Sequence, residues 1–99
     1  MTGMVNLFSC SREQMTADRY AEETQLRKAD ADIVAGRGRL HEQERLIRAL
    51  RESGKATREA ERLAALFRET LIEWERHRTL IIERLAYLKA MLNETARDA

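Results

Sequence analysis

Apolar residues recur every seven positions along two long stretches of this chain, and the repeat is interrupted once. In the first stretch Leu26, Ile33, Leu40 and Ile47 form one series, and Ala29, Gly36, Gln43 and Leu50 form a second, three residues later each time. In the second stretch Ala60, Phe67, Trp74, Ile81 and Leu88 are followed by Ala64, Leu71, Arg78, Leu85 and Leu92. Seven residues make nearly two turns of α-helix, so each series lies along one helical face. Paired series of this kind are the a and d rows of a coiled-coil seam. The rest of the composition agrees. The 99 residues include no proline, 35% are charged, and Glu, Arg, Ala and Leu, all strong helix formers, dominate.

The interruption reads as a turn. Gly54 in Glu52-Ser53-Gly54-Lys55-Ala56-Thr57 suits the left-handed conformation that ends a helix at little steric cost. Thr57 suits the N-cap of a following helix, and Glu59 and Glu61 sit where its positive end favours carboxylates. The expected organisation is a flexible leader over 1–12 and a helical hairpin over 13–99. Within the hairpin, helix one spans about 13–53, the turn 53–57 and helix two about 58–95.

Two helices of similar length with a short connection pack as antiparallel neighbours. A turn centred near Lys55 brings together residues whose numbers sum to about 110. Leu40 then faces Leu71, and Gly36 faces Trp74. A mid-helix glycine costs about 1 kcal/mol relative to alanine. Opposite a tryptophan, its missing side chain makes room for the indole, although a kink at Gly36 and Gly38 is a competing reading. The same register sets Asp32 against Arg78, a polar pair within the seam that would fix the alignment. Solvent exposure of the Arg78 head over a packed stem is the alternative.

Helix two carries more apolar residues than one seam needs. Leu66, Leu80 and Tyr87 fall at multiples of seven on a separate flank, interrupted by Glu73, and Ile72 and Ile82 widen the apolar surface. A two-helix layer struggles to offset its chain entropy. The expectation is therefore an all-α, coiled-coil-like antiparallel hairpin that assembles as a homodimeric four-helix bundle, with Leu66, Leu80 and Tyr87 at the oligomer interface.

The chemistry-bearing residues are sparse. His41 and His77 are the two histidines, and Glu73 with His77 is a two-ligand spacing that lacks a third partner. Cys10 is the single cysteine, so no intrachain disulfide forms, and only Arg12 nearby favours its thiolate. Phosphate loops, nucleophile elbows and zinc-protease motifs are absent from the sequence. No catalytic residue, metal or cofactor is expected, and the reading is non-enzymatic.

Net charge is +1, but it is unevenly placed. Between Arg37 and Arg68, nine basic residues stand against five acidic ones, so the remainder of the chain is net acidic. Arg45, Arg48, Arg51, Lys55, Arg58 and Arg62 form the candidate contact for an anionic partner. Known nucleic-acid-binding motifs are missing, which favours a solvated charged surface over a nucleic-acid site. The apolar run of Val5, Leu7 and Phe8 is short and lacks a basic start, unlike a signal peptide. No segment has the roughly 20 apolar residues of a membrane span. A cytoplasmic location is expected.

The stretch Ala29-Asp30-Ala31-Asp32-Ile33-Val34-Ala35-Gly36, the turn Gly54-Lys55-Ala56-Thr57, the run Glu59-Ala60-Glu61-Arg62-Leu63 and the later Glu75-Arg76-His77-Arg78 resemble a group of short uncharacterised bacterial proteins. These look like paired helices around a glycine–threonine turn. The resemblance covers roughly residues 26–86 and implies a bacterial helical hairpin, without an activity, ligand or functional residue. Taken together, the expected function is that of a self-associating helical interaction protein presenting charged faces to a protein partner. The alternative is a nucleic-acid-associated regulator that uses the basic turn region.

Overall fold

The structure is a computed structural model that describes the backbone of residues 11–98 and the side chains of residues 11–94. The expected leader, with Cys10, lies outside the described residues apart from its last two positions. Two helices make up the fold, α1 (Arg12–Glu52) and α2 (Arg58–Asp98). No strand occurs among the described residues.

Local chemistry explains where the helices begin and end. Ser11 caps α1: its hydroxyl oxygen accepts from the Gln14 backbone N–H at 3.0 Å, and its carbonyl accepts from Met15 N–H at 3.0 Å. The first contact satisfies an N–H group that a helix start otherwise leaves unpaired, and the second is the first i→i−4 bond of the helix. The helix therefore begins one residue before the expected boundary. At the other end, Lys55 N–H donates to Leu50 O at 2.8 Å and Gly54 N–H donates to Arg51 O at 3.0 Å. This is the Schellman pair of hydrogen bonds, and it needs a left-handed residue at the position of Gly54, whose φ is +69°. Glu61 N–H then donates to Thr57 O at 2.9 Å, which opens α2.

The chain divides into two compact units. The turn unit comprises Lys28–Arg78. Its seam buries Ile33, Gly36 and Ile47 of α1 against Ala64 and Leu71 of α2, with Leu40, Leu50, Phe67 and Trp74 half-buried beside them. An added Cβ at Gly36 would lie 2.9 Å from Leu71 Cδ2 and 3.0 Å from Trp74 Cζ3. The glycine is thus a packing requirement, and α1 continues through it without a break. Gln43, a polar residue in the seam row, is accommodated because its Nε2 donates to Ala60 O at 3.0 Å.

The terminal unit is formed by the N-terminal part of α1 up to Arg27 and the part of α2 from Thr79 onward. Met15 of α1 and Ile81, Leu85 and Leu92 of α2 are its buried apolar side chains. Arg12 Nη1 donates to Leu92 O at 3.1 Å, and the Glu22–Arg84 ion pair at 3.0 Å joins the two helices. In both units every residue of the four seven-residue series is buried or half-buried.

One register detail differs from expectation. Arg78 pairs with Asp30, not with Asp32. Asp32 instead receives Lys28 Nζ at 2.9 Å, one turn away on its own helix. The long guanidinium arm reaches two residues past the level estimated from the turn, and a nearby lysine takes the vacated carboxylate. Both members of the Arg78–Asp30 pair remain substantially solvent-exposed, so the pair contributes about 0–1 kcal/mol.

Candidate interaction surfaces

The turn unit has two unlike sides. On one, Arg37 pairs with Glu75 at 3.1 Å and Arg51 pairs with Glu61. Arg37, Glu44 and Arg51 are seven apart on α1, and Glu61, Arg68 and Glu75 are seven apart on α2, so this side is a double row of alternating charge. The other side is marked by Arg39, whose guanidinium carbon lies 5.8 Å from the centroid of the Trp74 ring in a cation–π contact. Leu46 is seven residues beyond Arg39, and Leu63 is eleven residues, close to three full turns, before Trp74. Both leucines therefore lie on that second side. The close approach of Gly36 to both Leu71 and Trp74 fixes a register that sets Leu46 near the level of Leu63. They are 48% and 42% exposed.

The terminal unit contains a groove lined by Asp18, Ala21, Glu22, Arg84, Tyr87 and Leu88. Arg84 holds Glu22 through Oε1, whereas Oε2 is buried without a hydrogen-bond partner. Asp18 accepts from Gln14 Nε2 at 2.9 Å. Two carboxylates and one guanidinium thus edge a groove walled by Ala21, Leu88 and the Tyr87 ring.

The candidate interface residues fall on exposed ground: Leu66 is 57%, Leu80 50% and Tyr87 64% exposed. Leu66 belongs to the turn unit, and Leu80 and Tyr87 belong to the terminal unit. Of the six candidate anion contacts, Arg45 is paired with Glu42 at 3.6 Å and Arg51 with Glu61. Arg48, Lys55, Arg58 and Arg62 are exposed and form no ion pair among the described residues. Pairing of two of the six weakens the case for a concentrated cationic site, because ion-paired guanidiniums attract a further anion less.

His41 and His77 are both exposed, and Glu73 is engaged by Arg76 at 2.9 Å rather than by His77. Among the described residues no group of three or more ligating side chains is gathered for a metal ion. No described helix is long and apolar enough to cross a membrane.

Sequence reasoning passed over Leu46, Leu63 and Tyr20 as surface residues. Leu46 adjoins the seam residue Ile47, and Leu63 adjoins Ala64, so each is hidden in a plain apolar doublet. The readable signal was that each doublet covers a wider arc than one seam requires. The cap at Ser11 was also legible, since Ser11-Arg12-Glu13-Gln14 matches the S-x-x-Q pattern of a helix start.

No known protein family, curated protein or solved structure matches this chain.

Proposed function

We propose that this chain is a non-enzymatic, self-associating helical interaction protein. In this reading two hairpins cover each other as a homodimeric four-helix bundle and present charged faces to a protein partner. The supporting observation is the apolar surface that the two helices leave open.

The side chains point the same way. Among the described residues eight apolar side chains are buried, and a single large one, Ile81, is fully enclosed. Nine large apolar residues remain exposed: Leu63, Leu66, Ile72, Leu80, Ile82 and Tyr87 on α2, and Tyr20, Val34 and Leu46 on α1. Surplus apolar surface of this extent marks an interaction surface. A second copy supplies matching surface without requiring another gene product.

The test is to place charges on the terminal part of α2. Leu80→Glu combined with Tyr87→Glu is expected to convert the dimer to monomer at micromolar concentration while circular dichroism shows unchanged helicity. An unchanged solution mass would remove these residues from the interface.

A further inference from the structure

The two surfaces described above are complementary, and each lies wholly within one unit. We propose that the exposed Leu46–Leu63 pair of the turn unit seats in the Asp18–Ala21–Glu22–Arg84–Tyr87–Leu88 groove of a second copy. The proposal rests on the self-association reading and specifies which surfaces meet.

Three observations select this occupant. First, of the two flanks of the turn unit's seam, one is free for docking. Its other side is committed to the Arg37–Glu75 and Arg51–Glu61 pairs, and covering those exposed charges would strip their hydration. The Leu46–Leu63 side offers two level leucines instead. Second, the charges match. Arg62 immediately precedes Leu63, and Arg39 shares the row of Leu46, within a stretch carrying nine basic and five acidic residues. The groove is edged by Asp18 and Glu22 against the single Arg84, and the Glu22 Oε2 atom has no hydrogen-bond partner of its own. A basic apolar knob thus meets an acidic apolar groove, a pairing that disfavours knob-to-knob contact. Third, each chain carries both the knob and the groove. Reciprocal use of the pair by two copies closes about a twofold axis, whereas one-sided use would propagate.

Leu46 and Leu63 then act as the buried anchors, and Tyr87 as the aromatic wall that receives them. The assignment joins Tyr87, expected from the sequence, to two residues that the sequence did not single out.

The full-length chain provides the test, with the dimer dissociation constant read from a dilution series and helicity checked by circular dichroism. Leu46→Glu with Leu63→Glu is expected to raise that constant about ten-thousandfold, at roughly tenfold for each of the four anchors lost from two reciprocal contacts. Ala21→Trp, which fills the groove at an exposed position, is expected to raise it comparably. A second measurement does not depend on affinity. In a Cys10→Ser background, Leu63→Cys and Ala21→Cys chains are mixed and oxidised. The expected product is the disulfide-linked heterodimer, with neither chain linking to itself. If the wild-type chain is a dimer and both affinity variants leave its dissociation constant unchanged, the knob-in-groove contact is wrong and self-association stands. Linkage of Leu63→Cys to itself overturns the proposal in the same way. A wild-type chain that remains monomeric overturns both this contact and the function it rests on.

Discussion

Two glycines two residues apart in α1 provide a controlled test of the packing. At Gly38 an added Cβ meets nothing within 4 Å. Gly38→Ala therefore removes only the helix penalty of glycine and is expected to stabilise the fold by about 0.8–1 kcal/mol. At Gly36 the same gain is opposed by contacts of 2.9 Å with Leu71 Cδ2 and 3.0 Å with Trp74 Cζ3. Carbon atoms prefer about 3.5–4.0 Å, so both neighbours must move. The Leu71 methyl can rotate, but the Trp74 ring is a rigid plate with Arg39 across its face. Overpacking of this kind costs about 1–3 kcal/mol. Gly36→Ala should thus range from neutral to about 2 kcal/mol destabilising, leaving the two alanine variants about 1–3 kcal/mol apart. For a domain of this size that separates their melting temperatures by roughly 4–8 °C per kcal/mol. Urea or thermal unfolding at one fixed protein concentration measures the difference, since association also shifts the midpoint. In a Trp74→Ala background the sign should reverse, because the ring no longer blocks the new methyl group and Leu71 has room to withdraw. Equal stabilisation by Gly36→Ala and Gly38→Ala in the wild-type background would refute the Gly36–Trp74 packing.

Further outcomes follow from single contacts. Gly54→Ala should destabilise by about 1–2 kcal/mol, the cost of a Cβ in left-handed backbone, and chemical denaturation reads it directly. Ile81→Ala should cost about 2–5 kcal/mol, because Ile81 is the one large side chain with no meaningful exposure among the described residues. In contrast, Val34→Ala at a position 68% exposed should fall within about 0.5 kcal/mol of wild type. A double-mutant cycle on Arg78 and Asp30 should give a coupling of about 0.2–1 kcal/mol, whereas the same cycle on Arg78 and Asp32 should give none.

Most of the architecture was readable because a seven-residue repeat constrains a helix strongly. Leu26 through Ile47 and Ala60 through Leu92 identify the buried rows, and Gly54 identifies the turn. Even the close approach at Gly36 follows, since counting outward from the turn sets it beside Trp74. The arginines were harder to place. A guanidinium on a long flexible stem can reach carboxylates one helical turn apart, so counting from the turn could not separate Asp30 from Asp32 as the partner of Arg78. Nor could it show that Lys28 would compete for Asp32. Surface function was the least legible part. Leu46 and Leu63 sit beside seam residues on different helices, and they acquire meaning as a pair only once the register makes them level. The groove is likewise a property of side-chain packing: Asp18, Ala21 and Glu22 come together with Arg84, Tyr87 and Leu88 across more than sixty residues of sequence. No periodicity within one helix announces such a recess.

Absolute mass in solution, measured by light scattering across a hundredfold range of protein concentration, tests the central claim most directly. The account predicts a species of twice the 11.5 kDa chain mass that persists into the low micromolar range. A mass of 11.5 kDa at every concentration would contradict it.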